Sequence, residues 1–256
     1  GFGAFALFLV MRQGPLRHAL KSSAPVLQVL RGLLLVAGIG MFGIALKSVA
    51  LAELQAITLV YPLIVTVVAI PVLGEKVGIF RFAAVAVGFL GALVIVRPGG
   101  LPLGLGVAAA IGSAACYAVY IVLTRKVTRT DSTATSMFYV GAIGLVLTSA
   151  IGVSFWQPLD PVSLMWVFYI MVTSVVAHGL MMVALSVTPA SVLQPFNYTA
   201  LPWGILFSYV VFQHLIDPVS LLGAAVIVVA GLVVMARERI KKVPAAVAEP
   251  ALPGKE

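Results

Sequence analysis

Two polar stripes in an otherwise apolar chain carry the residue types that could bind a solute. Along the segment 53–73, polar or small residues recur every three or four positions, which places them on one helical face. They are Gln55, Thr58, Pro62, Thr66 and Ala69. Adding 139 to each number gives the corresponding face of a later segment, which consists of Gln194, Asn197, Leu201, Ile205 and Ser208. Tyr198 lies four residues after Gln194, on the same side of that helix. Polar side chains inside membranes usually face the bundle interior. We therefore expect the stripes to line a solute cavity; the alternative is interhelical hydrogen bonding.

Two further faces add hydrogen-bonding and aromatic groups. Ser113, Tyr117, Tyr120 and Thr124 share one face, on which Tyr117 could donate to a solute or stack on it. Tyr120 is instead expected in the aromatic belt at the membrane interface. His178 lies in the middle of a predicted span. It could shuttle a proton or bind a carboxylate, and a neutral histidine bonded to a neighbouring helix is the alternative.

Candidates for ion coupling are few, because no Asp or Glu lies in the middle of any predicted span. Proton-driven carriers usually need a carboxylate or histidine within the membrane. Coupling would therefore use Glu53, His178 or a residue of a first helix that we expect to be missing from this sequence, and facilitated diffusion or solute exchange is the alternative. Arg31, near a helix end, is expected to snorkel to the interface; the alternative is that it attracts an anionic solute.

The composition of the chain excludes a water-soluble protein. Hydrophobic residues make up 62% of the 256 residues, charged residues make up 9%, and the mean hydropathy is +1.16. Soluble domains are about 45–50% apolar and about 25% charged. The single cysteine, Cys116, excludes a disulfide framework. The three histidines have no metal-ligand spacing, so we expect neither a metal nor a cofactor.

Charges, prolines and glycines divide the chain into apolar segments, of which all but the first are long enough to span a bilayer. The segments are 1–11, 26–46, 53–73, 79–96, 103–123, 133–155, 164–185, 191–212 and 218–236. We interpret the short first segment as the end of a helix whose beginning is absent. The predicted fold class is an all-α integral membrane protein with about nine helices, the first of them partial.

The basic residues are distributed unevenly between the two sets of loops. Thirteen of the 16 lysines and arginines fall on one side, whereas Glu53, Asp160 and Asp217 fall on the other. Basic loops stay in the cytoplasm, so we predict that Arg125 and the C-terminus are cytoplasmic. Residues 240–256 are expected to form a disordered cytoplasmic tail. The net charge of +8 is assigned to these loops and not to nucleic-acid binding.

A weak internal repeat relates the two halves of the chain at the offset of 139 residues. Leu54-Gln55 aligns with Leu193-Gln194. We divide the chain into a first unit at 1–101, a second unit at 102–239 and a tail at 240–256. An odd number of spans in each unit gives the units opposite orientations, as in inverted-repeat transporters. This predicts an inverted five-plus-five arrangement of helices with the first helix missing.

Short motifs follow one another in a fixed order along both halves. The first half contains Ala45–Glu53, Tyr61-Pro62, Leu73–Lys76, Gly88–Gly91 and Arg97–Gly99. The second contains Tyr117–Tyr120, Thr124–Lys126, Ala184-Leu185, Pro189–Ser191, Pro195–Tyr198 and Gly223. In order and spacing they resemble the two EamA-type repeats of the drug/metabolite transporter superfamily, from about Arg12 to Arg239. The chain departs from the pattern in lacking the first helix and in having Gln213-His214 where the first repeat has Gly74-Glu75.

The resemblance implies a secondary transporter, not an enzyme, that moves small organic metabolites across the bacterial inner (plasma) membrane by alternating access. Its motif at 195–198 resembles that of carriers of adenosylmethionine-like or amino-acid-like solutes, and nucleoside-like solutes are a further class. The expected partners are the solute and the lipid bilayer, with no nucleic acid and with a homodimer as the alternative to a monomer. The candidate substrate-binding residues are Gln55, Thr58, Tyr117, His178, Gln194, Asn197 and Tyr198.

Two functions of other classes stay open beside transport. A membrane-embedded enzyme acting on lipid would need a cluster of acid, base, nucleophilic or metal-binding residues near one interface, and the sequence contains none that we identify. A non-transporting membrane scaffold would not need matched polar stripes in its two halves.

Overall fold

The computed structural model describes residues 21–74, 79–96, 104–155, 158–187, 197 and 200–240. Within these residues the chain is helical and has no strand, which confirms the predicted all-α fold. The helices are α1 (Pro25–Leu46), α2 (Leu51–Thr58), α3 (Tyr61–Leu73), α4 (Ile79–Val96), α5 (Leu105–Val127), α6 (Thr133–Gly152), α7 (Pro161–Val187), α8 (Ala200–Phe212) and α9 (Pro218–Ile240). The first short segment and most of the predicted tail lie outside the described residues.

The starts of the helices follow from local sequence. Proline is the first residue of α1, α7 and α9, where its missing N–H costs nothing and its fixed φ suits a helix. Before α6, the Ser132 side chain accepts a hydrogen bond from the Thr135 amide at 3.1 Å. Asp160 accepts bonds from the first turn of α7 in the same way. These side chains satisfy backbone donors that have no partner within the helix.

Length and apolar character fit most of these helices to a bilayer. Five stretches are long and apolar enough to cross it: Pro25–Leu46, Leu51–Leu73, Leu105–Val127, Thr133–Gly152 and Pro161–Val187. Phe82–Ile95, Ala200–Phe212 and Pro218–Val233 are shorter apolar helices. Large apolar side chains such as Leu145 and Tyr169 are exposed on the outer surface. An apolar surface of this kind is stable against lipid chains and not against water.

Contacts between loops divide the helix ends into two sets. Asp131, in the loop after α5, accepts a hydrogen bond of 2.8 Å from the Ser23 amide, which lies ahead of α1. We call this the Arg125 end, after the basic residue in the last turn of α5. At the opposite end, which we call the Glu53 end, Glu53 in α2 contacts His214 after α8.

Helices α4 and α9 pack against each other with their backbones in contact. A Cβ added to Gly223 would lie 2.6 Å from the Gly91 carbonyl oxygen, so the two backbones touch. Gly91 also meets Ile227, whereas Ile95 meets Gly223. A higher residue number in α4 thus goes with a lower residue number of its contact in α9, so the two helices are antiparallel. This is the orientation that inverted units require, because α4 and α9 are related by the offset of 139 residues.

Two helix ends repeat the same turn at that offset. Gly74 follows α3 with a φ of 69°, and Gln213 follows α8 with a φ of 53°. Glycine adopts this left-handed conformation without strain, whereas glutamine does so at a cost. The coincidence agrees with the internal repeat, although the division of the chain into two units stays a prediction.

The interior contains two apolar clusters at different depths. One, nearer the Glu53 end, includes Ala45, Leu54 and Val107. The other, nearer the Arg125 end, includes Val65 and Leu185. Tyr61 and Ile64 pack against both clusters. The start of α3 therefore lies between the two clusters.

Candidate functional site

A break between α2 and α3 lies at this middle depth. α2 ends at Thr58 and α3 begins at Tyr61, so Leu59 and Val60 interrupt the span. Pro62 has no N–H and cannot donate to the Thr58 carbonyl four residues earlier. Pro62 therefore accounts for the interruption, and interrupted helices in membrane proteins commonly line solute or ion sites.

A cavity of about 200 Å³ opens beside this break. Its walls come from α1, α2, α3, α5 and α7, and they consist of Leu35, Gly38, Ile39, Phe42, Thr58, Tyr61, Ser113, Ala114, Tyr117 and His178. The four lining residues of α1 recur at the helical period and so share one face of that helix, and the same is true of the three lining residues of α5. The cavity is therefore enclosed by several helices whose apolar faces also carry a few hydroxyl, phenol and imidazole groups.

Aromatic rings form one continuous wall. The rings of Tyr61 and Tyr117 meet edge to face, with centroids 5.1 Å apart. Tyr117 stacks on Tyr120 at 5.8 Å, and Tyr120 lies 6.4 Å from the ring of His178. Edge-to-face and stacked pairs hold rings in defined orientations. Tyr61 and Tyr117 line the cavity, and Tyr120 packs behind Tyr117, so the two lining rings are held in place for contact with a flat ligand.

The polar groups of the cavity are positioned by their bonds to backbone carbonyls. Ser113 donates to the Gly38 carbonyl at 2.8 Å, and Thr58 donates to the Gln55 carbonyl at 3.0 Å. His178 Nδ1 lies 3.1 Å from the Ser174 carbonyl oxygen, so Nδ1 carries the proton. In the neutral ring, Nε2 is then an acceptor. The hydroxyl oxygens keep acceptor capacity, and among the described residues no carboxylate, lysine or arginine lines the cavity.

Three of the predicted substrate-binding residues come together here. Thr58, Tyr117 and His178 line one cavity. Gln55 lies one turn from Thr58 and packs against Gly204 of α8. A Cβ added to Gly204 would lie 2.7 Å from the Gln55 side chain. Asn197 is half-buried and is not among the lining residues. Gln194 and Tyr198 lie outside the described residues, so the facing of Gln55 and Gln194 stays a prediction.

Seven of the ten described lining residues were not predicted to bind a solute, and the aromatic residues Tyr61 and Phe42 are among them. Tyr61 was noted only as part of a motif, and Phe42 was not singled out. Tyr61 lies three residues after Thr58, at the spacing that places helical residues on one face, and this spacing was a usable signal. Nothing local distinguishes Phe42 from the other apolar residues of α1.

Two expectations about the membrane interface were wrong. Tyr120 is only 1% exposed and stacks on Tyr117 in the interior, not in an interfacial belt. Arg31 is fully buried and does not snorkel. It donates to the Ser136 carbonyl at 2.5 Å and to Thr124 at 3.4 Å. Its guanidinium also lies 5.7 Å from the centre of the Tyr120 ring, within the range of a cation–π contact.

A network around Asp131 continues from Arg31 to the Arg125 end. The Asp131 carboxylate accepts bonds from the Ser22 hydroxyl, the Ser23 amide and the Gln28 amide. Burial acts to raise the pKa of Asp131, but these donors outweigh it and hold the pKa below its ordinary value. A carboxylate with a depressed pKa stabilises the folded state at neutral pH. That contribution is lost as the pH falls through the folded-state pKa.

We expect Asp131→Asn to lower the free energy of unfolding at neutral pH by about 2 kcal/mol, because bonds to a charged acceptor are lost. The difference from the native protein should shrink below about pH 4, where a free carboxyl is protonated. Thermal unfolding in detergent across a pH series measures this. Asp160→Asn is the control, because asparagine still caps an exposed helix start. Equal effects of the two substitutions would contradict the assignment.

Known proteins with similar sequences are membrane transporters. Residues 104–236 match the model of the EamA-like transporter family. The riboflavin transporter of Brucella anthropi is 30% identical over 236 residues, covering 90% of this chain and 82% of that protein. The S-adenosylmethionine uptake transporter of Rickettsia prowazekii is 23% identical over 223 residues, covering 87% and 76%.

A solved structure shares the fold. A chain described only as "Crystal structure of protein" superposes with a TM-score of 0.68 at 20% identity, covering 94% of this chain and 85% of its own. At this identity the similarity concerns the fold alone. Taken with the family match and the named relatives, the chain belongs to the EamA-like transporter family of the drug/metabolite transporter superfamily, and it is a membrane transporter of small molecules and not an enzyme.

Proposed function

We propose that the protein carries a small organic solute with a flat aromatic ring system across the bacterial inner membrane by alternating access. The observation that carries this proposal is the aromatic wall beside the break between α2 and α3, in which Tyr61 and Tyr117 line the cavity and Tyr120 supports Tyr117 from behind. A planar ring bound there gains stacking and edge contacts together with burial of its apolar surface.

The size and charge of the cavity narrow the substrate class. A volume of about 200 Å³ suits a bicyclic ring more than a whole large metabolite. Thr58, Ser113 and His178 supply a few directed polar groups, as ring nitrogens and carbonyls need. The described lining residues are apolar, hydroxyl, phenol and imidazole groups, which suit an uncharged ring. Nucleoside-like solutes and other flat heterocycles fit this chemistry, and amino acids without a ring fit it less well.

Two relatives support the same class by name. One is named as a transporter of riboflavin and another as a transporter of S-adenosylmethionine. Both of those solutes contain a fused nitrogen heterocycle, and the aromatic wall offers a common way to hold such a ring. Riboflavin and adenosylmethionine are therefore the first solutes to test with this chain.

Alternating access and orientation are part of the proposal. Antiparallel α4 and α9 and the repeated turns after α3 and α8 support two inverted units that rock around a central site. We assign the Arg125 end to the cytoplasm because of the excess of basic residues in its loops. His178 is the coupling candidate within the cavity, since imidazole changes charge near neutral pH.

Reconstituted flux tests the proposed function. The purified protein in liposomes should take up riboflavin or adenosylmethionine faster than an amino acid without a ring. Thr58→Phe should reduce the initial rate by at least about tenfold, because a ring placed in the cavity excludes the solute, and a loss of about 1.4 kcal/mol in binding is tenfold.

Leu145→Phe is the matched control for this experiment. It adds the same ring at a position that is 61% exposed on the lipid-facing surface of α6, so flux should stay near the native rate. The proposal fails if Thr58→Phe and Leu145→Phe carry solute equally well, or if no flat heterocycle moves faster than the ringless amino acid.

A further inference from the structure

Glu53 and His214 connect the two halves of the chain at the Glu53 end. His214 Nε2 lies 2.9 Å from Glu53 Oε1, and the two residues are 161 positions apart. The Glu53 side chain is 6% exposed, whereas the His214 side chain is 45% exposed. A buried carboxylate is thus joined to a histidine that water can reach. The contact ties the first turn of α2 to the turn that follows α8.

The turn that presents His214 is strained. Among the described residues, Gln213 is the one non-glycine with positive φ. Its amide donates to the Tyr209 carbonyl at 3.0 Å, and the His214 amide donates to the Ser208 carbonyl at 3.1 Å. Glycine occupies the corresponding position, Gly74, in the first half. Strain retained in a turn is a reason to look for a function, and here the turn places His214 against Glu53.

The Glu53 carboxylate depends on this histidine. Its second oxygen, Oε2, is buried and has no hydrogen-bond partner within the described part of the chain. An ionised carboxylate buried with a single donor is costly unless that donor carries a positive charge. The contact is therefore strong while His214 is protonated and Glu53 is ionised. It weakens when the imidazole loses its proton or the carboxylate gains one.

The pair lies at the start of the helix whose last residue lines the cavity. Thr58, which lines the cavity, is five residues further along α2, or about 7.5 Å at the helical rise of about 1.5 Å per residue. Between them, Gln55 packs closely against Gly204 of α8. The interface of α2 with α8 therefore extends from the Glu53–His214 pair to Gln55, one turn from Thr58.

Few other charges lie at this end to replace the pair. The helices packed on α2 are α1, α4, α5, α8 and α9. Among their described residues, the titratable groups at the Glu53 end are Lys47 after α1, Tyr209 in α8 and Asp217 before α9. Asp217 accepts a hydrogen bond from the Ser220 amide at the start of α9.

We propose that Glu53 and His214 form a proton-sensitive latch that keeps the cavity closed toward the Glu53 end. With His214 protonated, the charged pair holds α8 against α2. When the proton leaves to water, the contact loses its charge assistance, α8 separates from α2, and a path opens past Gln55 to Thr58. The inference rests on the proposed transport function, since a latch matters only if the cavity must open.

The accessibility of one cysteine measures the latch without any solute. In a Cys116→Ser background, Thr58→Cys places a thiol in the cavity, and the protein is studied in lipid nanodiscs with a bulky, charged thiol reagent. The labelling rate is compared in three forms: the native pair, His214→Gln and His214→Lys. Ratios taken at one pH cancel the pH dependence of the thiol itself.

The three forms should differ in a defined way at about pH 5.5 and about pH 8.5, between which imidazole changes charge. At the lower pH, His214→Gln should label about tenfold faster than the native pair, as expected for loss of a charge-assisted bond. At the higher pH these two rates should converge. His214→Lys should stay slow at both, because lysine keeps its charge. Equal rates in all three forms at the lower pH, or a ratio that does not change with pH, would overturn the latch.

A substitution of Glu53 and a measurement of thermal unfolding serve as controls for the labelling experiment. Glu53→Gln should reproduce the fast labelling of His214→Gln, and the double substitution should add nothing further, because both remove one contact. Thermal unfolding identifies any form that fails to fold. Because labelling needs no flux, an incorrect substrate assignment would leave these rates unchanged, whereas an incorrect latch would leave transport of heterocycles intact.

Discussion

Gly223→Val should disrupt the folded protein more than any other single substitution proposed for this chain. An added Cβ would lie 2.6 Å from the Gly91 carbonyl oxygen and 3.1 Å from the Ile95 amide nitrogen. Both atoms belong to the backbone of α4, so no side chain can rotate away to make room. In lipid, such helix pairs depend on the close approach that small residues allow. We expect the free energy of unfolding to fall by about 3 kcal/mol or more.

The measurement is the unfolding midpoint in detergent together with the fraction of monodisperse protein. Gly144→Val in α6 is the control, because no described atom lies within 4 Å of a Cβ added there, and Gly43→Val in α1 serves the same purpose. Gly91→Val should resemble Gly223→Val, since its added Cβ would lie 2.7 Å from the Gly223 carbonyl oxygen. Unchanged stability of Gly223→Val relative to Gly144→Val would contradict the backbone contact of α4 with α9.

Tyr117→Ala should give the largest loss of transport that leaves the fold intact. Its ring contacts Tyr61 at 5.1 Å and Tyr120 at 5.8 Å, and its removal opens the centre of the aromatic wall. Each aromatic contact contributes about 0.5–1.5 kcal/mol. The loss of a comparable contact to the solute and of the order in the wall should raise KM by about tenfold or more. Flux into liposomes over a range of solute concentrations measures this change.

Tyr117→Phe separates the ring from its hydroxyl. It keeps the stacking surface, so most of the flux should return, whereas a hydroxyl that binds the solute directly would leave Tyr117→Phe as impaired as Tyr117→Ala. Tyr169→Ala controls for the loss of a tyrosine at the lipid-facing surface, where the side chain is 59% exposed. Flux by Tyr117→Ala equal to that of Tyr169→Ala would remove Tyr117 from the site.

Much of the helical framework was predictable because it depends on local sequence. A run of apolar residues long enough to cross the hydrocarbon must form a helix, since no water satisfies its backbone groups. The described helices follow the predicted segments closely, and the interruption before Tyr61 follows from Pro62. The family was also identifiable, because its motifs are short and ordered along the chain. The helical period placed Thr58 on a polar face, and Thr58 does line the cavity.

The partners of individual residues were less predictable. Tyr120 was expected at the interface, and it is buried against Tyr117. Its position near a helix end suggested the belt, but α1 and α7 cover that face of α5. Arg31 was expected to snorkel, and the Ser136 carbonyl holds it inside. In both cases a neighbouring helix, distant in sequence, supplied the contact that decided the outcome.

The sequence by itself determined that this protein is a bundle of membrane helices. It also determined the position of the helix break and several of the polar residues at that depth. The tertiary structure decided which of them meet: Thr58, Tyr117 and His178 share a cavity, Gln55 packs on Gly204, and Glu53 binds His214. The physical reason is the distance along the sequence over which each effect acts. Periodicity and proline act within one helix, whereas the register between helices depends on how closely small residues such as Gly91 and Gly223 let two backbones approach.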